Sequence, residues 1–279
     1  MSASVIDPAA YEQRNGFPMQ PVRCHHLKAL GKAPAYAHLA LSEVEDEDDD
    51  ETASISLGKT VHAIIQGRKD ILVYRGKVRR GKEWEEFRAQ YPTARIVLDK
   101  EMKAAESMAA SLLADKDACQ YLKARGVKRE KTMLFDYLGR ECRSTPDLAA
   151  ANGSWVADLK TTKCSKPTLF VHDARRFSYH VQLAMQGEAI RAKRGAYPEE
   201  HIIIAVESTG KFLTTVMRVD EDSLLEGRKL MRVWMEQLLV CEASGCWPGY
   251  AESIVPLSIA APPLELTYAE EPPADEATP

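Results

Sequence analysis

Two short segments of the sequence contain residue types that together can hydrolyse a phosphodiester bond. Pro146-Asp147 and Asp158-Leu159-Lys160 supply two carboxylates and one amine. Two carboxylates held side by side repel each other unless a cation lies between them, and hard oxygen ligands of this kind suit Mg²⁺ or Mn²⁺. A lysine beside such an ion can orient or help activate water and offset charge on the reacting phosphate. The pattern is therefore typical of metal-dependent phosphodiester hydrolysis.

The same residues also allow a purely structural interpretation, in which Asp147 caps a turn while Asp158 and Lys160 form a surface pair on a strand. Two features favour chemistry instead. The apolar segment Trp155-Val156-Ala157 leads directly into Asp158, which predicts a poorly solvated acid that needs a partner. Asn152-Gly153 is a strong tight-turn dipeptide, so the two acids can meet at neighbouring strand ends, with Lys160 on the same face as Asp158.

Hydrophobic periodicity predicts the elements that must position these residues. Helices are predicted at 26–41, 56–66, 99–113, 179–193 and 222–240, with Trp84, Phe87 and Tyr91 on one face of a further helix within 75–92. Strands are predicted at 131–137, 141–148, 155–160, 201–207 and 212–219. This order of elements predicts an α/β or α+β fold, with a sheet flanked by helices.

The chain divides into one predicted domain and two polar ends. We expect a flexible N-terminus at residues 1–22, a single domain at residues 23–250, and a tail rich in proline and acid at residues 251–279. Within the domain, residues 43–51 form a run of like charges that predicts an acidic loop.

The formal net charge of −4 hides a basic body. Residues 43–51 carry eight acids and residues 263–279 carry five, both without a basic residue. Removing these 13 acids changes the charge from −4 to about +9, which suits contacts with phosphate. Solvated lysine and arginine decorate any protein surface, so the charge permits a nucleic-acid partner without demonstrating one.

Other compositional features favour a cytoplasmic protein that does not enter a membrane. No apolar run approaches the roughly 20 residues that span a bilayer, and the first residues lack the basic and apolar pattern of a secretory signal. The cysteines lie without any CxxC pair, which is typical of reduced thiols. They are Cys24, Cys119, Cys142, Cys164, Cys241 and Cys246.

Three segments at their particular spacing resemble the PD-(D/E)xK nucleases, and more closely the exodeoxyribonuclease VIII (RecE)-like exonucleases of phages and prophages. They are Pro146-Asp147, Asp158-Leu159-Lys160-Thr161-Thr162 and Tyr179-His180-Val181-Gln182. Upstream, Gly58-Lys59-Thr60-Val61-His62 is similar to the Gly-Thr-Ala-x-His helix of that group. With the helical segment 26–41 and Trp247-Pro248, the resemblance covers roughly residues 25–250.

The resemblance implies a restriction-endonuclease-like core, a central mixed sheet flanked by helices, with a helical N-terminal part. It also implies that Asp147 and Asp158 bind Mg²⁺, with Mn²⁺ as a substitute, and that the backbone carbonyl of Leu159 and the ring of His62 are further ligands. Lys160 would orient or activate the attacking water. From its position alone, His62 would be interpreted as a packed histidine beside an apolar stripe.

The same resemblance assigns residues around the metal ligands. Gln182 would hold the site or the DNA end, with Tyr179 and Arg143 as substrate-binding neighbours, although a glutamine on a helix face is usually only solvated. Two positions depart from the pattern. Relatives often carry arginine where this chain has Thr145, and tyrosine where it has Gln186. Both departures concern positions that are expected to take part in DNA binding.

The implied function is a metal-dependent exodeoxyribonuclease that digests one strand of linear duplex DNA from an end, 5′ to 3′, in phage-type recombination. Implied partners are DNA ends, other copies of the chain in a ring of three or four, and a single-strand annealing protein. A non-catalytic DNA- or partner-binding protein of the same fold and a RecB-like endonuclease are the alternatives. A relative with an iron–sulfur cluster would need one early cysteine and three late ones. This chain has Cys24 near its start but only Cys241 and Cys246 near its end, so one ligand is missing.

Overall fold

The computed structural model of the chain describes residues 7–43, 52–251 and 253–257, and within them ten helices and nine strands. The helices are α1 Pro8–Asn15, α2 Cys24–Leu30, α3 Pro34–Ser42, α4 Ala53–Gln66, α5 Lys82–Gln90, α6 Asp99–Ala114, α7 Lys116–Leu122, α8 Pro167–Arg176, α9 Tyr179–Arg194 and α10 Glu221–Ser244. The strands are β1 Ile71–Tyr74, β2 Arg95–Leu98, β3 Lys128–Arg129, β4 Met133–Tyr137, β5 Arg140–Ser144, β6 Leu148–Ala149, β7 Trp155–Thr162, β8 Glu200–Glu207 and β9 Thr214–Arg218.

The central sheet has five strands in the order β3-β6-β7-β8-β9. β7 and β8 run parallel, joined by a crossover that contains α8 and α9, whereas the other neighbouring pairs are antiparallel. β8 is an almost continuous apolar run with Ile202 to Val206 buried, as expected for a strand covered on both faces. The predicted mixed sheet flanked by helices is therefore confirmed.

The two faces of β7 belong to different hydrophobic cores. Val156 packs into the cluster that includes residues of α2, α9 and α10, while Ala157 and Leu159 pack into the cluster of α4, α6 and α7. Because side chains alternate along a strand, Asp158 and Lys160 share the face of Val156 and point toward α9. The side chains of Asp158 and Lys160 therefore lie on the side of α9, whereas those of Ala157 and Leu159 lie on the side of α4, α6 and α7.

Helix α9 is fixed close to α10 by a glycine. A Cβ atom built on Gly227 of α10 would lie only 2.3 Å from the backbone oxygen of His180, so no larger residue fits there without a shift of the helices. The close contact holds the first turn of α9, which carries Tyr179 and Gln182, at a fixed distance from the sheet.

Two predicted elements are each divided in the structure. The predicted helix at 26–41 is two helices, because Pro34 has no N–H to continue the first and instead begins α3. The predicted strand at 141–148 is also two strands, β5 and β6, which belong to different sheets and are interrupted at Pro146. This second break determines the position of Asp147.

Some short elements were not predicted. β1 and β2 form a separate parallel pair, and α7 and α8 are short helices of seven and ten residues. The N-terminus also differs from its prediction as a flexible segment. Residues 7–22 include α1, and Tyr11, Phe17 and Val22 are buried in the core, since three large apolar side chains outweigh the polar composition around them.

Two predicted features fall largely outside the described residues, namely the acidic loop at 43–51, of which only Glu43 is described, and most of the tail at 251–279. Among the helices that are described, none is both long and apolar enough to cross a membrane.

Candidate active site

Asp147 lies immediately before β6, beside the middle of β7. The register pairs Leu148 with Ala157, so one further step along the antiparallel pair brings Asp147 next to Asp158. The backbone N–H of Leu159 donates to Asp147 Oδ2 at 2.7 Å and fixes the carboxylate. The structure therefore brings the two acids together as the hairpin argument predicted.

The charges around Asp147 are not balanced. Burial and the nearby carboxylate of Asp158 together raise the pKa of Asp147 to about 6, against the opposite effects of His62, Lys160 and the Leu159 N–H. Carboxylate repulsion of this kind is relieved when a cation binds between the acids. The unfavourable proximity is consistent with a site built for a divalent ion.

Asp158 is almost completely buried, with 2% of its surface exposed. Its Oδ1 accepts hydrogen bonds from the side-chain amides of Gln182 at 2.7 Å and Gln186 at 3.1 Å, both on α9. Its Oδ2 lies 2.5 Å from Lys160 Nζ in an ion pair, but accepts no hydrogen bond of acceptable geometry. Oδ1 is thus held by two side-chain amides, while Oδ2 faces the charged amine of Lys160.

Lys160 remains a cation in this environment. Burial by itself lowers the pKa of Lys160, but the negative charges of Asp158 and Asp147 more than offset it, so the pKa lies above its ordinary value. The Nζ atom lies 4.6 Å from the centre of the Tyr179 ring and 3.3 Å from Gln182 Oε1. The amine is therefore held in one orientation by the first turn of α9.

His62 reaches the site from the opposite helical layer. A Cβ on Gly58 would lie 3.1 Å from Thr161 Oγ1, so this glycine lets α4 approach β7. His62 Nε2 lies 3.1 Å from the backbone oxygen of Leu159. Because a carbonyl only accepts, Nε2 carries the proton in the neutral ring, and Nδ1 is left with a lone pair that faces Asp147 Oδ1 at 3.7 Å.

This hydrogen bond bears on the expected role of the Leu159 carbonyl. The resemblance implied that this oxygen is a metal ligand, whereas here it accepts from His62 and fixes the tautomer of the ring. A backbone carbonyl bonded to the second nitrogen of a histidine is a common way to orient that residue for a metal. The arrangement supports His62 as a ligand through Nδ1.

A cavity of about 420 Å³ opens beside Gln182. The cationic residues on its lining are Arg23, Lys28 and Arg143. Arg143 thus lies on the wall of this cavity, and Thr145, which stands in place of the arginine of relatives, is exposed on the same lining. The positive charge of this cavity comes from Arg23 just before α2, from Lys28 of α2 and from Arg143 of β5.

Lys28 was not predicted from the sequence. Its Nζ donates to Gln182 Oε1 at 3.3 Å and lies 5.6 Å from the centre of the Tyr179 ring. Burial lowers the pKa of Lys28, and the charge of Lys160 acts in the same direction. Gln182 therefore accepts from two lysines while it donates to Asp158, and only the folded arrangement of α2 against α9 reveals this.

Glu130 and Gln186 were also missed as participants. Ligand atoms of His62, Glu130 and Asp147 lie within 4.8 Å of one another. Gln186, which differs from the tyrosine of relatives, is buried and donates to Asp158, and its own Oε1 has no hydrogen bond. Glu130 lies in a segment without a recognisable motif, whereas Gln186 follows the Tyr179–Gln182 motif but differs from its pattern.

The donor set suits a divalent metal ion. It contains the adjacent carboxylates of Asp147 and Asp158 and an imidazole nitrogen, His62 Nδ1, that faces Asp147 Oδ1 at 3.7 Å. Oxygen-rich sites with few nitrogen ligands are typical of Mg²⁺ and Mn²⁺. The residues present therefore fit the ion that the sequence predicted.

Comparison with known proteins supports this interpretation of the fold. No curated protein matches the chain. The crystal structure of a "Putative exonuclease" from Eubacterium rectale superposes with a TM-score of 0.59 at 15% identity, covering 97% of this chain and 100% of that one. A phage-related exonuclease from Haemophilus somnus 129PT gives a TM-score of 0.33 at 11% identity, with 81% and 98% covered.

At such low identity the first of these structures supports the fold alone. The sequence itself gives the stronger result, because residues 24–256 match the PDDEXK-like domain of unknown function called DUF3799. This match spans all the strands of the central sheet and each of the acids and lysines described above. The chain belongs to the DUF3799 family of PDDEXK-like domains.

Proposed function

We propose that the protein is a metal-dependent deoxyribonuclease that hydrolyses one strand of linear duplex DNA from an end. The observation that carries the proposal is the grouping of Asp147, immediately before β6, with Asp158 and Lys160 on the adjacent β7, the lysine charged and oriented. A surface ion pair would not need a second acid beside it, nor two glutamine amides bonded to one of the acids.

Asp147 and Asp158 would hold Mg²⁺, or Mn²⁺ in its place, together with His62 and the Leu159 carbonyl. When bound, the ion supplies Lewis-acid polarisation of the phosphate and a lower pKa for a neighbouring water. Lys160 is protonated, so its role is to orient water by donating hydrogen bonds and to stabilise charge that develops on the phosphate. Water would attack phosphorus directly and break the bond to one sugar oxygen, which leaves with a proton while the new phosphate oxygen loses its proton to solvent, so no covalent intermediate forms on the protein.

Gln182 keeps these groups in place. Its amide links Asp158 to Lys160 and to Lys28, so the acid and both cations cannot move independently. Rigid support of this kind is what a catalytic constellation requires, because small displacements lower the rate strongly. Gln186 adds a second donor to the same carboxylate.

The cationic cavity supports DNA as the substrate. Arg23, Lys28 and Arg143 lie on its lining next to Gln182, and arginine and lysine at such a position neutralise backbone phosphates. Tyr179, which the resemblance assigns to substrate binding, lies against Lys160 and Phe177 on the first turn of α9. This surface would hold the strand whose scissile phosphate lies at Asp147 and Asp158.

The finer features of the proposal rest on the resemblance to RecE-like exonucleases. They are digestion in the 5′ to 3′ direction, a ring of three or four copies around the DNA, and a role in phage-type recombination beside a single-strand annealing protein. A non-catalytic DNA-binding protein of the same fold and a RecB-like endonuclease remain the alternatives that experiment must separate.

Linear and closed circular duplex of the same sequence separate these alternatives. With Mg²⁺ we expect the linear DNA to be degraded and the closed circle to stay intact, because an exonuclease needs an end. Labels placed at either the 5′ or the 3′ end report the direction, and the 5′ label should be released first. Equal cleavage of the closed circle would contradict the exonuclease assignment, and no cleavage of either DNA would favour the non-catalytic alternative.

A further inference from the structure

Glu130 lies beside the proposed active site but belongs to none of its sequence motifs. It follows β3, which pairs with β6 through Arg129 and Leu148. The next pair along this register would be Glu130 and Asp147, and the N–H of Glu130 donates to the backbone oxygen of Asp147 at 3.1 Å. Glu130 and Asp147 are therefore neighbours because of the sheet itself, and not through a chance contact of side chains.

The backbone of Glu130 has an unusual conformation. Its φ of 42° lies in the left-handed region, which few residues other than glycine adopt and which costs on the order of 1–3 kcal/mol. The hydrogen bond to Asp147 holds the residue in this conformation. The carboxylate is thereby kept close to His62 and Asp147, with ligand atoms of all three within 4.8 Å of one another.

The three facing groups all offer ligand atoms to a cation. Since His62 Nε2 donates to the Leu159 carbonyl, Nδ1 is the ring nitrogen that faces the carboxylate of Asp147, at 3.7 Å. Within the described part of the chain, no hydrogen bond or ion pair is formed by the Glu130 carboxylate. Two carboxylates that converge beside one imidazole nitrogen repel each other unless a cation joins them.

Asp158 is engaged differently. Its two oxygens are directed to Lys160 and to the amides of α9, whereas Asp147 faces both Asp158 and the pair formed by His62 and Glu130. Asp147 thus lies between two parts of the site, one that contains Asp158 and Lys160 and one that contains His62 and Glu130.

We propose that Glu130 is a ligand of a divalent cation that is also held by His62 Nδ1 and Asp147. One nitrogen and two carboxylates form a donor set that favours Mn²⁺ over Mg²⁺, since imidazole is a better ligand for the former. The inference rests on the proposed function because His62 and Asp147 belong to both sets of ligands.

Calorimetric titration of the full chain with Mn²⁺ tests the proposal without reference to DNA cleavage. We expect Glu130→Gln, which keeps the size of the side chain, to weaken Mn²⁺ binding at least about 10-fold and Glu130→Asp to restore part of the affinity. Glu141→Gln on the neighbouring β5, where the side chain is exposed, is the matched control and should bind as the unmodified protein does. Thermal unfolding of each variant without metal verifies that the fold is retained.

Unchanged Mn²⁺ affinity in folded Glu130→Gln would overturn the proposal, as would an unmodified protein that binds no Mn²⁺. A protein in which Mn²⁺ binding depends on Glu130 but which cleaves no DNA would leave this ligand assignment standing while the proposed nuclease function fails. Conversely, DNA cleavage by the unmodified chain together with wild-type Mn²⁺ affinity in Glu130→Gln would overturn only the role of Glu130.

Discussion

Lys160→Met is expected to lower the rate of DNA hydrolysis by about 10²–10³-fold, and also to lower thermal stability, because the buried Asp158 carboxylate loses its ion-pair partner. Methionine keeps an unbranched apolar chain against Tyr179 but removes the charge that lies 2.5 Å from Asp158 and the donor to Gln182. The loss should fall on kcat more than on KM, because the charge acts on the phosphate as it reacts. Single-turnover cleavage of end-labelled linear duplex measures it.

Lys163→Met is the control for this experiment. Lys163 follows the same strand but is exposed, so the substitution changes the net charge equally without reaching the site. Its rate should stay within a few-fold of the unmodified protein. Equal rates for Lys160→Met and Lys163→Met would contradict the assignment of Lys160.

Glu242→Ala is expected to lower the free energy of unfolding by about 3–5 kcal/mol, because it leaves a buried arginine without its counter-charge. Arg140 and Glu242 are 2% and 3% exposed. Arg140 Nε lies 3.2 Å from Glu242 Oε2, and the hydroxyl of Tyr11 donates to the same carboxylate at 2.8 Å. This network joins α1, β5 and α10. Urea denaturation followed by circular dichroism measures the change.

An exposed ion pair on the same helix provides the comparison. Arg232 and Glu236 form an i,i+4 pair with 63% and 52% of their side chains exposed, so Glu236→Ala should change the free energy of unfolding by less than about 1 kcal/mol. Replacing both buried partners, Arg140→Met with Glu242→Leu, should recover much of the stability lost in Glu242→Ala. Similar small changes for Glu242→Ala and Glu236→Ala would show that the buried pair contributes little.

The central part of the site could be predicted because its signals are local. Asp158 and Lys160 are separated by two positions in an apolar strand, so they share a face, and a turn dipeptide brings the strand of Asp147 next to them. A sheet flanked by helices was predictable for the same reason, since β8 is a long apolar run and β7 begins with three apolar residues, whereas its mixed character came from the resemblance. Gln182 and His62 depended on resemblance, because an apolar period predicts the buried face of a helix but not which strand residues a polar side chain beside that face meets.

The remaining parts depend on contacts between distant segments. Lys28 meets Gln182 only after α2 packs against α9, and Glu130 meets Asp147 only through a two-residue strand that is too short for any periodic pattern. Gln186 was interpreted from the sequence as a departure that affects DNA binding, yet the structure places its amide on Asp158. The ordered α1 was missed because polar residues surround the three apolar side chains that anchor residues 7–22.

Release of acid-soluble nucleotides from linear duplex DNA, measured with Mg²⁺ and with EDTA, tests the central claim most directly. The unmodified protein should release nucleotides with Mg²⁺, stop on addition of EDTA and resume when excess Mg²⁺ is restored. Asp158→Asn, which keeps the shape of the side chain but removes its charge, should lose at least about 10²-fold of this activity. Release that continues in EDTA, or full activity in folded Asp158→Asn, would contradict a metal-dependent nuclease site at Asp147, Asp158 and Lys160.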